Sequence, residues 1–587
     1  MKEFFRTFLA VILALVVTNV LMFLTTIIIL GSLATFQKPK AVVHDNSVLV
    51  LDFKEQIVDY ASVNNYTIDI VSGSMNVSKS LNLRDVINAI KNAAKDTKIK
   101  GISMEITSIP TELSILEEVR KELNAFKESG KFIYAYSNSG YSQKSYYIAS
   151  VADQVFISPV GEVQFKGLFY MVPYFKDFLD KFNMEVQVVR HGKYKSAVEP
   201  YLDNKMSEAN REQISSYVNS TWNDILVPIS ISRNISVANL NNYADNLAID
   251  NAKKAEEYNF IDKIMYEDQY MDLLKEKTST TGKLARIEMS KYISAHENAQ
   301  ISQSSNSVAI IYAQGEIVEG KSSGEALGNE TICKALREAR EDKNVRAVVF
   351  RVNSPGGSAL ASEYILREVK LTAEEKPLVV SMGSYAASGG YYISCAADYI
   401  FADPTTLTGS IGVFGMIPNF QKAIKKYLAI NFESVKTNEN ANYMTNVFEP
   451  MTPFQLSKLQ NEIEAFYNTF ISHVAEGRGM TKERVDEIGQ GRVWTGTEAI
   501  KIGLVDELGS LNDAIAFAAD KAELTDYRIK EYPQKKEAFV ELLEELMAST
   551  RIKSWQSSPI APYVQAMEQV ANMEGVQARL PFVLIEE

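Results

Sequence analysis

The sequence of 587 residues is poor in cysteine and histidine, and it has no excess of positive charge. With only two cysteines, Cys333 and Cys395, a disulfide framework is excluded as the main source of stability, although a single bridge is not. The four histidines do not fall into a metal-ligand spacing, so no metal site is predicted. A formal net charge of -12 argues against a nucleic-acid-binding surface.

Length and composition indicate a folded protein with more than one core. The chain is longer than one ordinary domain, and 46% hydrophobic with 23% charged residues is typical of a globular protein. Phosphate-loop spacing is also missing, so no cofactor is predicted. Short apolar strands alternate with amphipathic helical stretches such as 331–340 and 454–476, which predicts an α/β fold with crossover units.

Residues 1–40 are predicted to form a membrane anchor. The stretch 8–36 is almost entirely apolar and is longer than the about 20 residues that span a bilayer. A cleaved signal peptide is the alternative, but its apolar region is usually only ~7–15 residues long. Positive residues precede the run, which favours a cytoplasmic N-terminus, although two lysines also follow it. The rest of the protein would then lie outside the cytoplasmic membrane.

The remainder of the chain contains an internal duplication. Asn46-Ser-Val-Leu-Val-Leu51 recurs as Asn306-Ser-Val-Ala-Ile-Ile311, and Tyr146-Tyr-Ile148 recurs as Tyr391-Tyr-Ile393. The predicted domains are therefore two α/β halves, residues 41–300 and 301–535. A C-terminal extension, residues 536–587, follows them. In this extension 537–547 is predicted as an amphipathic helix, 559–587 has no clear element, and its role is left open.

One second-half segment, Ser381-Met-Gly-Ser-Tyr-Ala-Ala-Ser-Gly-Gly-Tyr-Tyr392, carries the main candidate for chemistry. It follows an apolar run predicted as a strand, 377–380, and precedes a predicted helix, 393–397. Small residues at a strand-to-helix turn expose one side chain at a helix N-terminus, and we predict that Ser388 is that residue. Ser384 is the alternative nucleophile, but no Gly-Gly follows it. A Gly/Ser turn without chemistry is the other interpretation.

A second glycine-rich turn, Asn353-Ser-Pro-Gly-Gly357, follows the apolar strand 347–350. Such a turn exposes backbone N–H groups, which can stabilise an oxyanion. Gly356 of this turn and Gly389 after the serine are the candidate donors.

A general base is available far upstream, in Gly192-Lys-Tyr-Lys-Ser-Ala-Val-Glu-Pro200. A lysine can act as the base if burial lowers its pKa so that the amine is neutral near pH 7. Lys193 and Lys195 both qualify, because residues two apart lie on the same side of an extended segment.

The duplication separates these groups between the halves. By the offset of the repeated Tyr-Tyr-Ile stretches, Ser388 aligns with Gln143, and the Pro-Gly-Gly turn aligns with Pro110-Thr-Glu112. In the second half, the position that aligns with Lys195 is occupied by asparagine or alanine. Neither half has the full set, so a working site has to form between halves.

Three segments in the chain closely resemble the signal peptide peptidase A (protease IV) family in its long form. They are Tyr194-Lys-Ser-Ala-Val-Glu-Pro200, Asn353-Ser-Pro-Gly-Gly357 and Ala387-Ser-Gly-Gly-Tyr391. The resemblance covers nearly the whole chain. It implies a serine protease on the fold shared by the Clp protease and the crotonases. It also implies that Ser388 is the nucleophile and that Lys195, rather than Lys193, is the general base.

The same resemblance implies where the protein works and on what. Its substrates would be signal peptides left in the bilayer after cleavage. Its location would be the bacterial cytoplasmic (inner) membrane, with the catalytic part on the periplasmic side, and its assembly a ring-like homotetramer. Whether the serine and lysine meet within one chain or across two stays open. The alternatives are a crotonase-like acyl-CoA enzyme, which needs oxyanion donors but no serine, and a non-catalytic membrane scaffold.

Substrate contacts are expected close to the turn Gly409-Ser-Ile-Gly412. We hypothesise that this turn carries a substrate strand by β-augmentation. Val413, Phe414 and Met416 follow it and are either pocket walls or core residues.

Overall fold

The computed structural model describes residue 18 and residues 41–61, 65–69, 74–78, 80–296, 304–324, 326–445, 447–534 and 576–579. The chain divides into two compact units. The smaller unit comprises Met1–Val42, Ala61–Ser80 and Lys535–Ser554. The larger unit comprises Val43–Tyr60, Leu81–Gln534 and Trp555–Glu587, and it contains most of both predicted halves.

The strands that precede residue 300 are β1 Ser47–Leu51, β2 Gln56–Val58, β3 Asn65–Asp69, β4 Ser74–Ser78, β5 Ser80–Asn82, β6 Ile99–Glu105, β7 Phe132–Ser137, β8 Gly140–Tyr141, β9 Gln154–Ile157, β10 Glu162–Val163, β11 Glu185–His191, β12 Lys263–Ile264 and β13 Arg286–Glu288. The later strands are β14 Ser307–Gln314, β15 Glu316–Val318, β16 Ala326–Gly328, β17 Val345–Ser354, β18 Gly356–Ser358, β19 Leu378–Ala387, β20 Tyr399–Ala402, β21 Leu407–Gly409, β22 Val413–Asn419, β23 Val493–Thr495, β24 Glu507–Leu508, β25 Arg528–Tyr532 and β26 Val576–Arg579.

The helices that precede residue 300 are α1 Leu83–Lys95, α2 Leu113–Lys127, α3 Gln143–Ala149, α4 Lys176–Lys181, α5 Glu199–Leu202, α6 Glu208–Arg233, α7 Val237–Asp245, α8 Ala252–Glu257, α9 Glu267–Lys277 and α10 Met289–His296. The later helices are α11 Asn329–Glu341, α12 Ala359–Ala373, α13 Gly389–Tyr392, α14 Gln421–Leu428, α15 Pro453–Arg478, α16 Lys482–Ile488, α17 Gly496–Ala499 and α18 Leu511–Lys521. Short 3-10 helices span Ser196–Val198 and Ile500–Ile502.

Each half is built on a mainly parallel sheet, and six strands of each sheet share one order. The second sheet also has β21 beside β19 and, antiparallel to β21, the strand β23. In the first half the order is β12-β9-β7-β6-β1-β13, and all neighbours are parallel. In the second half, β24-β20-β19-β17-β14-β25 repeats that order, again with parallel neighbours. The predicted α/β fold with an internal duplication is therefore confirmed. The exact domain boundaries and the likeness to the Clp protease and crotonases stay predictions.

The central strands of both sheets are apolar along almost their whole length. All five residues of β1 are buried, as are seven of the eight residues of β14. Such continuous apolar runs are typical of parallel strands that helices cover on both faces, since neither face meets water.

A third sheet joins the halves. Its order is β11-β22-β26-β18-β15-β16, and β11 comes from the first half whereas β22 comes from the second. These two strands pair antiparallel from Glu185 opposite Asn419 to His191 opposite Val413. The segment that starts at Gly192 therefore leaves β11 already beside the second half.

Two elements differ in extent from the sequence prediction. The strand predicted at 377–380 continues to Ala387, because Tyr385–Ala387 pair with Leu407–Gly409. The prediction of a helix at 393–397 is wrong, since α13 ends at Tyr392. After it, the N–H of Ser394 donates to the carbonyl of Tyr391, three residues earlier, which tightens the backbone into turns. Both cysteines, Cys333 and Cys395, are free thiols.

The predicted anchor, residues 1–40, lies outside the described residues except for position 18. Within the described part, no helix combines the length and apolarity needed to cross a membrane. The helix predicted at 537–547 is also outside the described residues. The expectation of no clear element in 559–587 is wrong for Val576–Arg579, which forms β26. Its partners, β18 and β22, are remote in sequence, so no local pattern marks it.

A buried arginine links residues of the two halves. Arg351 of β17 is 1% exposed, and its guanidinium lies 2.7 Å from Oδ1 of Asp59 and 2.8 Å from Oε1 of Glu118. It also donates to Oγ of Ser381, at 2.7 Å. A buried charge is tolerated only with such partners, and both carboxylates come from the first half.

We expect Arg351→Met to lower the free energy of unfolding by about 3–5 kcal/mol, because two buried carboxylates would lose their counter-charge. Urea unfolding followed by circular dichroism measures the change. Lys275→Ala, which removes an exposed pair with Asp272, is the control and should change stability little. An Arg351→Met chain as stable as the parent would show that this network does not hold the halves together.

Candidate active site

Ser388 lies at a strained turn between a strand and a helix. It follows β19 and is the N-cap residue of α13, with φ 55 and ψ -112. A positive φ is uncommon for a residue with a side chain and persists only where the surroundings enforce it. Here the N–H of Ser388 donates to the carbonyl of Gly409, at 2.8 Å, and the residue is fully buried.

Glycine is required directly after this serine because the backbone is crowded. A Cβ on Gly389 would lie 2.8 Å from Oγ of Ser362, and one on Gly390 would lie 2.5 Å from the carbonyl oxygen of Ser354. The Ser-Gly-Gly motif is therefore explained by close packing of α13 against β17 and α12.

Lys195 reaches the same place from the first half, on the loop that follows β11. The N–H of Tyr194 donates to the carbonyl of Gln490, at 2.8 Å. Two glycines permit this approach: a Cβ on Gly192, where φ is +110, would lie 2.5 Å from that carbonyl oxygen. A Cβ on Gly491 would lie 2.6 Å from the nitrogen of Lys195. The lysine loop is thus held against the loop at Gln490.

The structure brings Ser388 and Lys195 together within one chain. Nζ of Lys195 lies 2.8 Å from Oγ of Ser388, inside hydrogen-bond distance. Lys195 is fully buried, and burial lowers the pKa of its amine well below the ordinary value of 10.5. Desolvation is the cause, since it disfavours the charged form. In its neutral form the amine has a free lone pair and is suited to accept the proton of a hydroxyl group.

The alternatives that the sequence left open lie elsewhere. Lys193 is exposed. On an extended backbone Lys193 and Lys195 would lie on the same side, but the backbone forms a turn at Lys193 and Tyr194, so the two side chains have different surroundings. Ser384 hydrogen-bonds Oγ of Ser114 at 2.6 Å and also donates to Glu112. Neither alternative contacts the Ser388–Lys195 pair.

The two glycines predicted as oxyanion donors lie side by side. Gly356 has φ +97, and a Cβ on it would lie 2.7 Å from the backbone nitrogen of Gly389. Only glycine at this position leaves space in front of that N–H group. Their role as donors stays a prediction.

Comparison with known proteins places the chain in a family. The model of Peptidase family S49 matches residues 125–281 and 370–525. The chain belongs to Peptidase family S49. One matched region contains Lys195 and the other contains Ser388, so each contributes one member of the pair.

Three relatives illustrate this S49 membership. Protease 4 of Haemophilus influenzae is 38% identical over 457 residues, 75% of this chain and 73% of that protein. Serine protease SPPA, chloroplastic, of Arabidopsis thaliana is 30% identical over 563 residues, 94% of this chain and 80% of that protein. Putative signal peptide peptidase SppA of Enterococcus faecium is 32% identical over 235 residues, 40% of this chain and 67% of that protein.

As a member of S49, the protein is a serine protease and its substrates are peptides. The family therefore favours a peptidase over the crotonase-like acyl-CoA enzyme and over the non-catalytic scaffold.

Sequence reasoning missed Ser410 as a partner of the lysine. Oγ of Ser410 lies 3.0 Å and its carbonyl oxygen 3.3 Å from Nζ of Lys195. Ser410 is fully buried with φ +51, and its N–H donates to the carbonyl of Arg492 at 2.7 Å. The available signal was the Gly409-Ser-Ile-Gly412 turn, which was interpreted as a substrate contact only.

In the first half, the position that aligns with Ser388 has a structural task. Oε1 of Gln143 accepts from the N–H groups of Lys166 and Gly167, at 3.1 and 3.0 Å. Gln143 therefore fixes a loop instead of offering a nucleophile.

The residues after the Gly409–Gly412 turn are core residues in this structure. Val413, Phe414 and Met416 are at most 2% exposed, and Phe414 and Met416 pack with Val198. Their role as pocket walls is not supported.

We expect kcat/KM for a soluble peptide to fall as the pH is lowered, because protonated Lys195 cannot accept the proton of Ser388. Since burial lowers the pKa of Lys195, the midpoint of this acid limb should lie well below 10.5. A pH–rate profile in a constant-ionic-strength buffer measures it. An acid limb centred near the ordinary lysine value would contradict a buried neutral base.

We expect Ser410→Ala to lower kcat about tenfold with little change in KM, since one hydrogen bond that orients the amine is lost. Steady-state kinetics on the same peptide measures kcat and KM separately. Ser196→Ala is the control: Ser196 adjoins the lysine, but its Oγ is bonded to Nε2 of Gln213 at 2.9 Å. Equal kcat values for Ser410→Ala and the parent would rule out this positioning role.

Proposed function

We propose that the protein is a membrane-anchored endopeptidase that degrades remnant signal peptides, with Ser388 as nucleophile and Lys195 as general base. The observation that carries this proposal is the 2.8 Å contact between Nζ of a fully buried Lys195 and Oγ of Ser388. A solvated lysine is protonated at neutral pH and could not act as a base, whereas a desolvated one can. The similarity to the Enterococcus faecium relative, which is named a putative signal peptide peptidase, supports the substrate class.

The reaction is acyl transfer in two stages. Oγ of Ser388 attacks the peptide carbonyl carbon while Lys195 accepts its proton, and the resulting oxyanion accepts from the N–H groups of Gly356 and Gly389. Lys195 then protonates the leaving amine as the C–N bond breaks. Water, deprotonated by Lys195, hydrolyses the ester and restores Ser388. Serine–lysine pairs need no histidine for this cycle.

The location and assembly belong to the same proposal. The apolar run 8–36, with positive residues before it, would anchor the protein in the bacterial inner membrane with its catalytic part on the periplasmic side. An anchor would hold the active site beside peptides released into the bilayer. A ring-like homotetramer is the assembly that the family resemblance implies.

We expect a fluorophosphonate probe to label Ser388 in the detergent-solubilised full chain, with the adduct located by mass spectrometry. Ser388→Ala should lose the adduct and the cleavage of a synthetic signal peptide. Lys195→Met should slow cleavage by about 10²–10⁴-fold, the usual contribution of a general base.

Matched controls separate chemistry from folding. Lys193→Met makes the same change two residues away on an exposed side chain and should leave cleavage intact. Lys195→Met should also unfold at a higher urea concentration near pH 7, since an amine that has to lose its proton on burial is removed. Unchanged cleavage in Ser388→Ala would refute the mechanism. Equal cleavage of the signal peptide and a polar peptide of the same length would refute the substrate class.

A further inference from the structure

Strand β19 bulges where it passes the end of β17. Val352 faces Met382, yet Ser354 faces Ala386, so β17 advances by two residues while β19 advances by four. Because side chains alternate along a strand, two extra residues keep β19 on the same face and shift its pairing by about 7 Å. Such bulges are common next to active sites, and this one ends two residues before Ser388.

The register after the bulge places the oxyanion turn beside the nucleophile. The position of a Cβ on Gly356 is 2.7 Å from the backbone nitrogen of Gly389 and 3.0 Å from the carbonyl oxygen of Ala387. Without the two extra residues, Ser354 would face Ser384 instead. Gly356 would then lie beside residues that precede the nucleophile, and the two predicted oxyanion donors would be apart.

The side chain of Asn353 closes the bulge from the β17 side. Its Oδ1 accepts from the N–H of Tyr385, at 3.1 Å. Where a ladder bulges, a backbone N–H loses its strand partner and needs another acceptor, which this amide provides. The carbonyl oxygen of Asn353 accepts from the N–H of Gly315, at 2.9 Å, so the backbone at this position is also held.

Two carboxylates of the first half fix the orientation of this amide. Nδ2 of Asn353 donates to Oδ2 of Asp59 at 2.8 Å and to Oε2 of Glu112 at 3.2 Å. Asp59 is 1% exposed, and its Oδ1 accepts from Arg351. An ionised carboxylate only accepts hydrogen bonds, so the NH₂ group has to face the carboxylates and Oδ1 has to face Tyr385.

The same carboxylates also contact the bulge directly. The hydroxyl of Ser384 donates to Oε2 of Glu112. A Cβ on Gly383 would lie 2.9 Å from Oδ2 of Asp59, so a glycine is needed for the carboxylate to approach this closely. First-half side chains therefore hold the bulge as well as the asparagine opposite it.

We propose that Glu112 and Asp59 are positioning residues for the oxyanion turn: they hold Asn353 against the bulge and so keep Gly356 beside Gly389. This inference rests on the proposed function of the serine–lysine pair. Glu112 belongs to the first-half turn that aligns with the Pro-Gly-Gly turn of the second half. The half that lacks the oxyanion glycines thus supplies the groups that position them.

We expect Glu112→Ala to lower kcat for a soluble peptide about tenfold with KM unchanged, because losing a whole oxyanion donor lowers kcat about 10²–10³-fold and displacing one loses part of this. Glu112→Gln keeps an acceptor oxygen and should recover most of the rate. The midpoint of the acid limb in the pH–rate profile should stay at the parent value, since Lys195 is untouched. Steady-state kinetics of the full chain in detergent measures these quantities.

A peptide aldehyde reports on the oxyanion donors separately from substrate binding. Oγ of Ser388 adds to the aldehyde carbon while Lys195 takes the hydroxyl proton, and the resulting oxyanion accepts from the same N–H groups as in catalysis. In Glu112→Ala the inhibition constant of the aldehyde should rise about tenfold, in step with the fall in kcat. The inhibition constant of the corresponding peptide alcohol, which forms no adduct, should not change.

Matched controls are available on the same helix and at another glycine. Glu117 lies on α2 and accepts from Oγ1 of Thr405 of the second half, at 2.9 Å, so Glu117→Ala removes a contact between the halves away from the bulge. It should match the parent in kcat and in aldehyde inhibition. Gly383→Ala crowds Asp59 without removing a charge and should act like Glu112→Ala, whereas Gly282→Ala adds a methyl group in open space and should be silent.

The outcomes separate this inference from the proposed function. Parental kcat and aldehyde inhibition in both Glu112→Ala and Gly383→Ala would overturn the positioning role and leave the proposed function standing. Equal losses of activity in Glu112→Ala and Glu117→Ala would also overturn it, because any contact between the halves would then serve. A parent that neither cleaves peptides nor binds the aldehyde at Ser388 would overturn the proposed function and this inference together.

Discussion

The antiparallel pairing of β11 with β22 is the interaction on which the site depends. It extends from Glu185 opposite Asn419 to His191 opposite Val413, and so lays a first-half strand on the second half. The lysine loop begins directly after this ladder and is held at Gln490 by a backbone hydrogen bond and by glycine packing. The ladder therefore brings the loop that carries the amine beside the half that carries the serine. Strand register, rather than local sequence, therefore sets the distance between them.

Arg351 and Lys195 show how the surroundings of a buried basic side chain affect its charge. Arg351 has Asp59 and Glu118 within hydrogen-bond distance and stays ionised, and it joins the halves. Lys195 is buried equally, but the hydrogen-bond partners of its amine among the described residues are the oxygens of Ser388 and Ser410, so desolvation lowers the pKa of the amine. One arrangement favours the buried charge, and the other disfavours it, which is the condition that a lysine base requires.

The duplication is compatible with the separation of Ser388 and Lys195 between the two halves. Six strands of each sheet keep the same order, so each half retains its core whether it carries Lys195 or Ser388. Gln143, in place of the serine, has become a structural residue that holds Lys166 and Gly167. The halves can differ at these turn positions because strands and helices, rather than turn residues, bury the apolar surface.

The sequence by itself determined the α/β class and the repeat, and it predicted Ser388 as the nucleophile, because apolar periodicity, self-similarity and turn glycines can be read along the chain. It could not separate Lys193 from Lys195 without the family, find Ser410 or mark Val576–Arg579 as a strand. Those outcomes depend on partners hundreds of residues away: the loop at Gln490, the turn at Gly409 and the gap between β18 and β22. Only the tertiary structure brings these partners together, since hydrogen bonding and desolvation act through space rather than along the chain.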